Sequence, residues 1–316
     1  HIIVMQKNML SIYMNNISLQ LIDEQIAKLK ACDLSKIEFD ELKKLLKPIL
    51  FNGFAMIFPS YHPPLPLFRG RVISSIRQEA NTISLSDNVP TTLKGLTCPP
   101  AETVKKFQRA NSPGNPMFYC SKAPEVTIHE LNLNVGDVAV ISKWETINRL
   151  SVVRIGYEPE VFSNLKSDRI CPNFDNKVPE LAEAIQREIN RRVQAFFSNE
   201  FMRKINIGNE HLYKLSAAIA ELLRKELDAS KFAELEKLHL ELQGVEYPAV
   251  AAKGNSDNLA LVPKFADQNL KLIRCELIIK INEIENIVAD VSDKIVEDQI
   301  IWKGQQEKSQ IFHSPR

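Results

Sequence analysis

The chain has 316 residues, of which 44% are hydrophobic and 25% are charged, the composition of an ordinary globular protein. Forty basic and 39 acidic residues leave a net charge of +1, which argues against a nucleic acid as the main partner. Five scattered cysteines without CxxC spacing argue against a zinc site and a disulfide framework. We find neither a signal-peptide pattern nor a run of about 18 apolar residues. A cytoplasmic protein without membrane association is therefore expected.

The N-terminal part of the sequence has the pattern of short helices. Apolar residues recur at helical spacing between residues 17 and 47. Asp33 and Ser35 can break and cap between two helices, and Pro48 is expected to end the second. A proline-rich segment, residues 59–68, follows. The sequence predicts a helical N-terminal region over residues 1–60.

A β-rich tract follows, over residues 67–157. Its short runs of β-branched and aromatic residues are separated by Pro, Gly and Asn turns, and they are LFRGRVIS, PMFYCS, DVAVIS and LSVVRIGY. Within this tract, EVTIHEL (residues 125–131) is typical of a helix that packs behind the PMFYCS strand.

Helical spacing returns at residue 178, and it predicts a helical insertion around residues 178–230. The runs GVEYPAV, DNLALVP and KLIRCELIIKI then predict three strands. Residues 282–316 are predicted to form a C-terminal helical tail, which leaves residues 61–281 as the main domain. Because helices and strands are segregated along the chain, we expect the α+β class and not a doubly wound βαβ sheet.

Common motifs of catalysis and cofactor binding are absent from the sequence. It contains no GxGxxG after a strand, no GxxxxGK[ST], no HExxH and no GxSxG. The six histidines show no paired spacing, so we do not expect a metal site.

Dispersed polar residues in the β-rich tract are the remaining candidates. Arg69 lies between apolar residues of a predicted strand, where it could bind a pyrophosphate or simply pair with a carboxylate. Tyr119 suits either a stacking surface for an aromatic ring or the core. Glu130 lies among apolar neighbours, and burying such a carboxylate requires a charged or hydrogen-bonding partner.

The order of four blocks resembles that of RES-domain proteins. The blocks are LFRGRV, QRANSPGNPMFYCSKAPEVTIHEL, HLYKLSAAIAELL and GVEYPAVAAKGNSDNLALVP. The second block is the most specific, since it combines the family's Arg-Asn-Pro-Gly turn, strand tyrosine and downstream glutamate. Arg69 falls at the position of the family's arginine and Glu130 at that of its glutamate.

The family's serine is replaced in this sequence. The late block usually reads Tyr-Pro-Ser-Val, whereas here it reads Tyr247, Pro248, Ala249, Val250. Alanine donates no hydrogen bond, so one polar contact to the ligand should be missing. A weakly active natural branch, a pseudoenzyme and a deliberate substitution in a toxic protein all stay open.

The resemblance implies a fold similar to ADP-ribosyltransferases, with a pair of small β-sheets, flanking helices and NAD bound between the sheets. It implies an NAD-degrading enzyme that cleaves the nicotinamide–ribose bond by phosphorolysis or hydrolysis, without a metal. Glu130 would stabilise the ribose cation, and Arg69 would contact the pyrophosphate. Tyr119 would stack near nicotinamide, with Arg109 and Tyr247 as further NAD contacts. A structural salt bridge around the turn is an equally good interpretation of Arg109.

Partners and rival functions also follow from the resemblance. The protein would be the toxin of a toxin–antitoxin pair, with a cognate antitoxin or immunity protein as its partner, and it could form an oligomer. Transfer of ADP-ribose to a protein, and nucleotide binding without turnover because of Ala249, are the alternatives.

Overall fold

The computed structural model describes residues 19–51, 58–75, 89–157, 180–226, 241–250, 256–283 and 285–304. Its α-helices are α1 (Leu19–Ala31), α2 (Phe39–Phe51), α3 (Pro124–Leu131), α4 (Glu180–Met202), α5 (Lys214–Glu226) and α6 (Pro263–Asn269). Its first strands are β1 (Ser60–Tyr61), β2 (Pro66–Ser75), β3 (Phe118–Ser121), β4 (Asp137–Thr146), β5 (Leu150–Ser151) and β6 (Val153–Arg154). The later strands are β7 (Gly244–Pro248), β8 (Asp257–Leu261), β9 (Leu270–Lys280), β10 (Asn286–Ser292), β11 (Lys294–Val296) and β12 (Gln299–Ile301). Short 3₁₀ turns cover Leu93–Gly95, Ala101–Thr103 and Glu210–Tyr213.

The chain divides into two compact units. Unit 1 contains residues 1–60, 99–117 and 150–250, and unit 2 contains residues 61–98, 118–149 and 251–316. The main domain expected at residues 61–281 contributes to both units. The mixture of helices and strands confirms the α+β class.

Unit 1 is mainly helical. Helix α2 packs against α1 and α5, α1 also packs against α4, and both α4 and α5 contact β7. Strands β6 and β7 run parallel, with Val153 opposite Val245. The helices predicted before residue 48 and after residue 178 are confirmed where the structure describes them, while residues 1–18 lie outside the described part. None of the described helices has the length and apolar character needed to cross a membrane.

Pro48 does not end the second helix, so that part of the prediction is wrong. Helix α2 continues to Phe51 with Pro48 inside it. A proline inside a helix removes one backbone hydrogen bond and is costly. Burial offsets this cost, because Leu46 and Ile49 on either side of Pro48 are fully buried.

Unit 2 is built on strands in the order β10-β9-β4-β2-β3-β8. Each neighbouring pair is antiparallel. The predicted strands LFRGRVIS, PMFYCS, DVAVIS, DNLALVP and KLIRCELIIKI correspond to β2, β3, β4, β8 and β9. Their periodicity of two places alternate side chains on opposite faces of the strands.

Helix α3 covers one face of these strands, which we call the helix face. Ile128 and Leu131 pack there against a cluster that includes Ala139, Ile141 and Ile278. The predicted helix behind PMFYCS is therefore confirmed, and it contacts both β2 and β3.

The predicted C-terminal helical tail is wrong for residues 286–301, which form β10, β11 and β12. Strand β10 pairs with β9, with Ile287 opposite Ile279 and Ser292 opposite Cys275. Isoleucine and valine suit a strand better than a helix, and the free edge of β9 supplies the hydrogen-bonding partner. Residues 305–316 lie outside the described part.

Candidate functional site

Glu130 lies in the last turn of α3 and is exposed to solvent. The helix begins at Pro124, in a first-turn position where a proline is favourable, and ends at Asn132, whose left-handed φ of 47° terminates it. Asn258 on β8 donates a hydrogen bond from Nδ2 to Oε1 of Glu130, with an N–O distance of 2.9 Å. The carboxylate is thus accessible, and the neutral amide of Asn258 is one of the groups that contact it.

Hydroxyl groups attach α3 to the strands beneath it. The hydroxyls of Ser121 on β3 and Thr127 on α3 are 2.5 Å apart. Thr127 Oγ1 also lies 3.1 Å from the carbonyl oxygen of Phe68 on β2, to which it can donate. Because both residues are buried, these contacts fix the position of the helix that carries Glu130.

Tyr119 lies on the helix face. It is half-buried on β3 opposite Ala260 of β8. Ser121, two residues further along the strand, reaches Thr127 of α3, so the alternation of side chains directs Tyr119 to the same face. The structure therefore places Tyr119 and Glu130 on one side of the strands.

Arg69 lies on the opposite face of β2. The next residue, Gly70, faces the helix, since a Cβ atom there would lie 2.7 Å from Cδ1 of Leu131. Side chains alternate along a strand, so Arg69 points away from α3. The structure does not bring Arg69 and Glu130 together.

The guanidinium of Arg69 donates to three backbone carbonyls. The distances are 3.1 Å from Nε to Leu96 O, 3.0 Å from Nη1 to Tyr119 O and 3.4 Å from Nη2 to Thr97 O. Its carbon Cζ lies 4.9 Å from the ring centre of Phe118. Burial lowers the pKa of this guanidinium below its usual value. Through these contacts, Arg69 connects residues 96–97 to β3. Its role in binding a pyrophosphate stays a prediction.

The thiols of Cys98 and Cys120 lie close enough to Arg69 for its positive charge to affect their pKa values. Burial raises the pKa of Cys98 to about 11 and that of Cys120 to about 12, although the charge of Arg69 opposes both shifts. Thiols with such pKa values are protonated at neutral pH, and a thiolate is required for nucleophilic attack. These cysteines are therefore unsuited to nucleophilic catalysis.

The other expected site residues belong to unit 1. Arg109 donates to the carbonyl oxygens of Phe201 and Arg203 and lies 5.2 Å from the ring centre of Tyr213. Tyr247 is buried, with its ring centre 5.7 Å from that of Phe201. Ala249 is completely buried.

The sequence reasoning missed Asn258 and a buried polar group in unit 2. Lys122 donates from Nζ to the hydroxyl of Tyr61 at 2.6 Å and to Oδ2 of Asp257 at 3.2 Å. The side chains of Lys122 and Asp257 are only 16% and 3% exposed. The polar pair Asp257–Asn258 at the start of a predicted strand was the available signal, since burial of two such side chains requires partners.

A scan against models of known protein families gives no match, and a comparison with curated proteins gives none either. Among the residues that the structure describes, no three His, Cys, Asp or Glu side chains are grouped so that they could hold a metal ion.

Proposed function

We propose that this chain binds NAD as its substrate and cleaves the bond between nicotinamide and ribose, by phosphorolysis or hydrolysis. The supporting observation is Glu130, an exposed carboxylate oriented by Asn258 on the same face as the aromatic side chain of Tyr119. The resemblance of the surrounding sequence to RES-domain proteins is a second reason for this proposal. We also propose that the strands have an ADP-ribosyltransferase-like arrangement.

The chemistry of this bond suits a single carboxylate. Nicotinamide leaves as a neutral molecule from a cationic ring, so the departing group needs little acid assistance. The ribose carbon develops positive charge as the bond breaks, as in glycoside cleavage, and a nearby negative charge stabilises it. Glu130 would supply that charge, and the ring of Tyr119 would stack near nicotinamide.

Two other functions are consistent with the same site. Transfer of ADP-ribose to a protein would use the same carboxylate with a different acceptor. Binding of a nucleotide without turnover is favoured by Ala249, which replaces the serine expected from the resemblance and lacks its hydroxyl. In each case a cognate antitoxin or immunity protein is a proposed partner.

Replacing Glu130 with glutamine tests the proposal. Glu130→Gln keeps the size of the side chain but removes its charge, and we expect kcat for nicotinamide release to fall about 10²–10³-fold. Purified protein is incubated with NAD and inorganic phosphate, and nicotinamide and the ribose product are identified by mass spectrometry. Hydrolysis releases free ADP-ribose and phosphorolysis releases its phosphorylated form, so either free product distinguishes degradation from transfer to a protein.

Glu125→Gln is the matched control, because Glu125 is an exposed glutamate in the first turn of the same helix. It should turn over at the rate of the unmodified protein. Equal rates in a folded Glu130→Gln protein would remove Glu130 from the reaction, and absence of turnover in the unmodified protein would favour the binding function.

A further inference from the structure

Asn258 is a buried amide next to the exposed carboxylate. Only 8% of its surface is exposed, and it lies on β8 directly opposite Ser121 of β3. Its Nδ2 donates to Oε1 of Glu130 at 2.9 Å. The donor therefore comes from the interior of the strands, while the acceptor comes from the helix above them.

The same pair of strands positions both the helix and the donor. Ser121, opposite Asn258, forms the hydroxyl contact with Thr127 one turn before Glu130. An exposed glutamate normally samples many rotamers, and fixing one of them costs conformational entropy. A hydrogen bond already formed before the ligand arrives reduces the ordering that remains for the reaction.

The amide of Asn258 is an uncharged donor to this carboxylate. An Arg or Lys in this position would place a positive charge beside Glu130 and weaken its effect on a cationic ribose. The amide of Asn258 donates to the carboxylate and adds no positive charge of its own.

We propose that Asn258 is a positioning residue that holds Glu130 in its reactive orientation. This inference rests on the proposed NAD cleavage. Asn258 acts through Glu130 and not on the substrate, so its loss should lower kcat more than it changes KM for NAD. We expect a decrease in kcat of about 10-fold to 100-fold, the range for a hydrogen bond to a charged group.

The test measures nicotinamide release from NAD in the presence of inorganic phosphate, using the full chain. Asn258→Leu removes the amide at similar size, and Asn258→Asp replaces it with a carboxylate that repels Glu130. Asn282 supplies the matched control, since its Nδ2 also donates to a glutamate, Oε2 of Glu285, at 3.2 Å in an exposed turn of the same unit. Asn282→Leu and Asn282→Asp should keep the kcat of the unmodified protein. Thermal unfolding of each variant identifies those that are folded.

A double-mutant cycle with Glu130→Gln separates positioning from a purely structural effect. If Asn258 acts through Glu130, each Asn258 substitution should lower kcat in the unmodified protein but cause little further loss beside Glu130→Gln. An unchanged kcat, or the same loss in both backgrounds, would overturn the positioning role while leaving the proposed function intact. Absence of nicotinamide release from the unmodified protein would overturn both.

Discussion

Gly70 provides a direct test of how α3 is placed on the strands. A Cβ atom at this position would lie 2.7 Å from Cδ1 of Leu131 and 2.9 Å from Cγ2 of Thr127. Both distances are about 0.5–0.7 Å shorter than the 3.4 Å at which ordinary contacts begin. The end of the leucine side chain can move at low cost. Thr127 cannot move so easily, because its hydroxyl contacts both Ser121 and the backbone of Phe68.

Two effects of Gly70→Ala oppose each other. Replacing a glycine restricts the unfolded chain and stabilises the protein by about 0.4–1 kcal/mol. Overpacking a filled site typically costs about 1–3 kcal/mol. The overpacking should dominate because Thr127 is held, so we expect a net loss of about 0.5–2 kcal/mol in the free energy of unfolding, measured by urea denaturation.

Thr127→Ser identifies the origin of this loss. Serine keeps the hydroxyl and removes only Cγ2, so Gly70→Ala should be at least about 0.5 kcal/mol less destabilising in that background. A displaced α3 should also weaken the contact between Glu130 and Asn258 and lower NAD turnover. If Gly70→Ala proved as stable as the unmodified protein, or equally destabilising with Ser at position 127, the inferred packing of α3 would be incorrect.

Two further predictions concern the other expected site residues. Arg69→Ala should lower the free energy of unfolding by about 2–4 kcal/mol, because three carbonyls lose their charged donor, and Arg69→Lys should recover only part of it. Urea denaturation checks this, and unchanged stability would contradict the structural role. Ala249→Ser should raise NAD turnover by about three-fold to a hundred-fold if it restores a ligand contact. Because Ala249 is completely buried, the added hydroxyl should also lower the free energy of unfolding by about 1–2 kcal/mol, measured in the same way. An unchanged rate would show that the missing serine is irrelevant.

Strands with a clear periodicity could be predicted from the sequence. In β9, Cys275, Leu277 and Ile279 of the predicted alternating pattern are buried, whereas Ile273 is half-buried and Ile281, just after the strand, is exposed. Helices α1 and α2 were predicted for the same reason, since their apolar residues recur on one side. Prediction failed where residues suited two structures, as in β10, whose isoleucine and valine also fit a helical spacing. There the choice between helix and strand depends on pairing with β9, and the spacing of residues within β10 does not reveal that pairing.

The candidate site could be predicted only in part. Sequence spacing placed Tyr119 on a strand and Glu130 on the helix that follows, and both positions are found. Alternation also implied that Arg69 and Gly70 point in opposite directions, but it could not show which of them faces the helix. Gly70 faces the helix because α3 packs directly against the backbone at this position, where there is no side chain. Asn258 was missed because its partner is 128 residues away in the sequence.

Strand β3 links the two faces, and this affects how an arginine variant must be interpreted. The carbonyl oxygen of Tyr119 accepts a bond from Arg69, while the side chain of Tyr119 lies on the helix face with Glu130. Loss of Arg69 can therefore displace Tyr119 without any direct contact between the arginine and a substrate. Stability separates the two explanations. Replacing a structural arginine should lower stability and turnover together, whereas Glu130→Gln, which keeps an amide oxygen as acceptor for Asn258, should lower turnover with a much smaller change in stability.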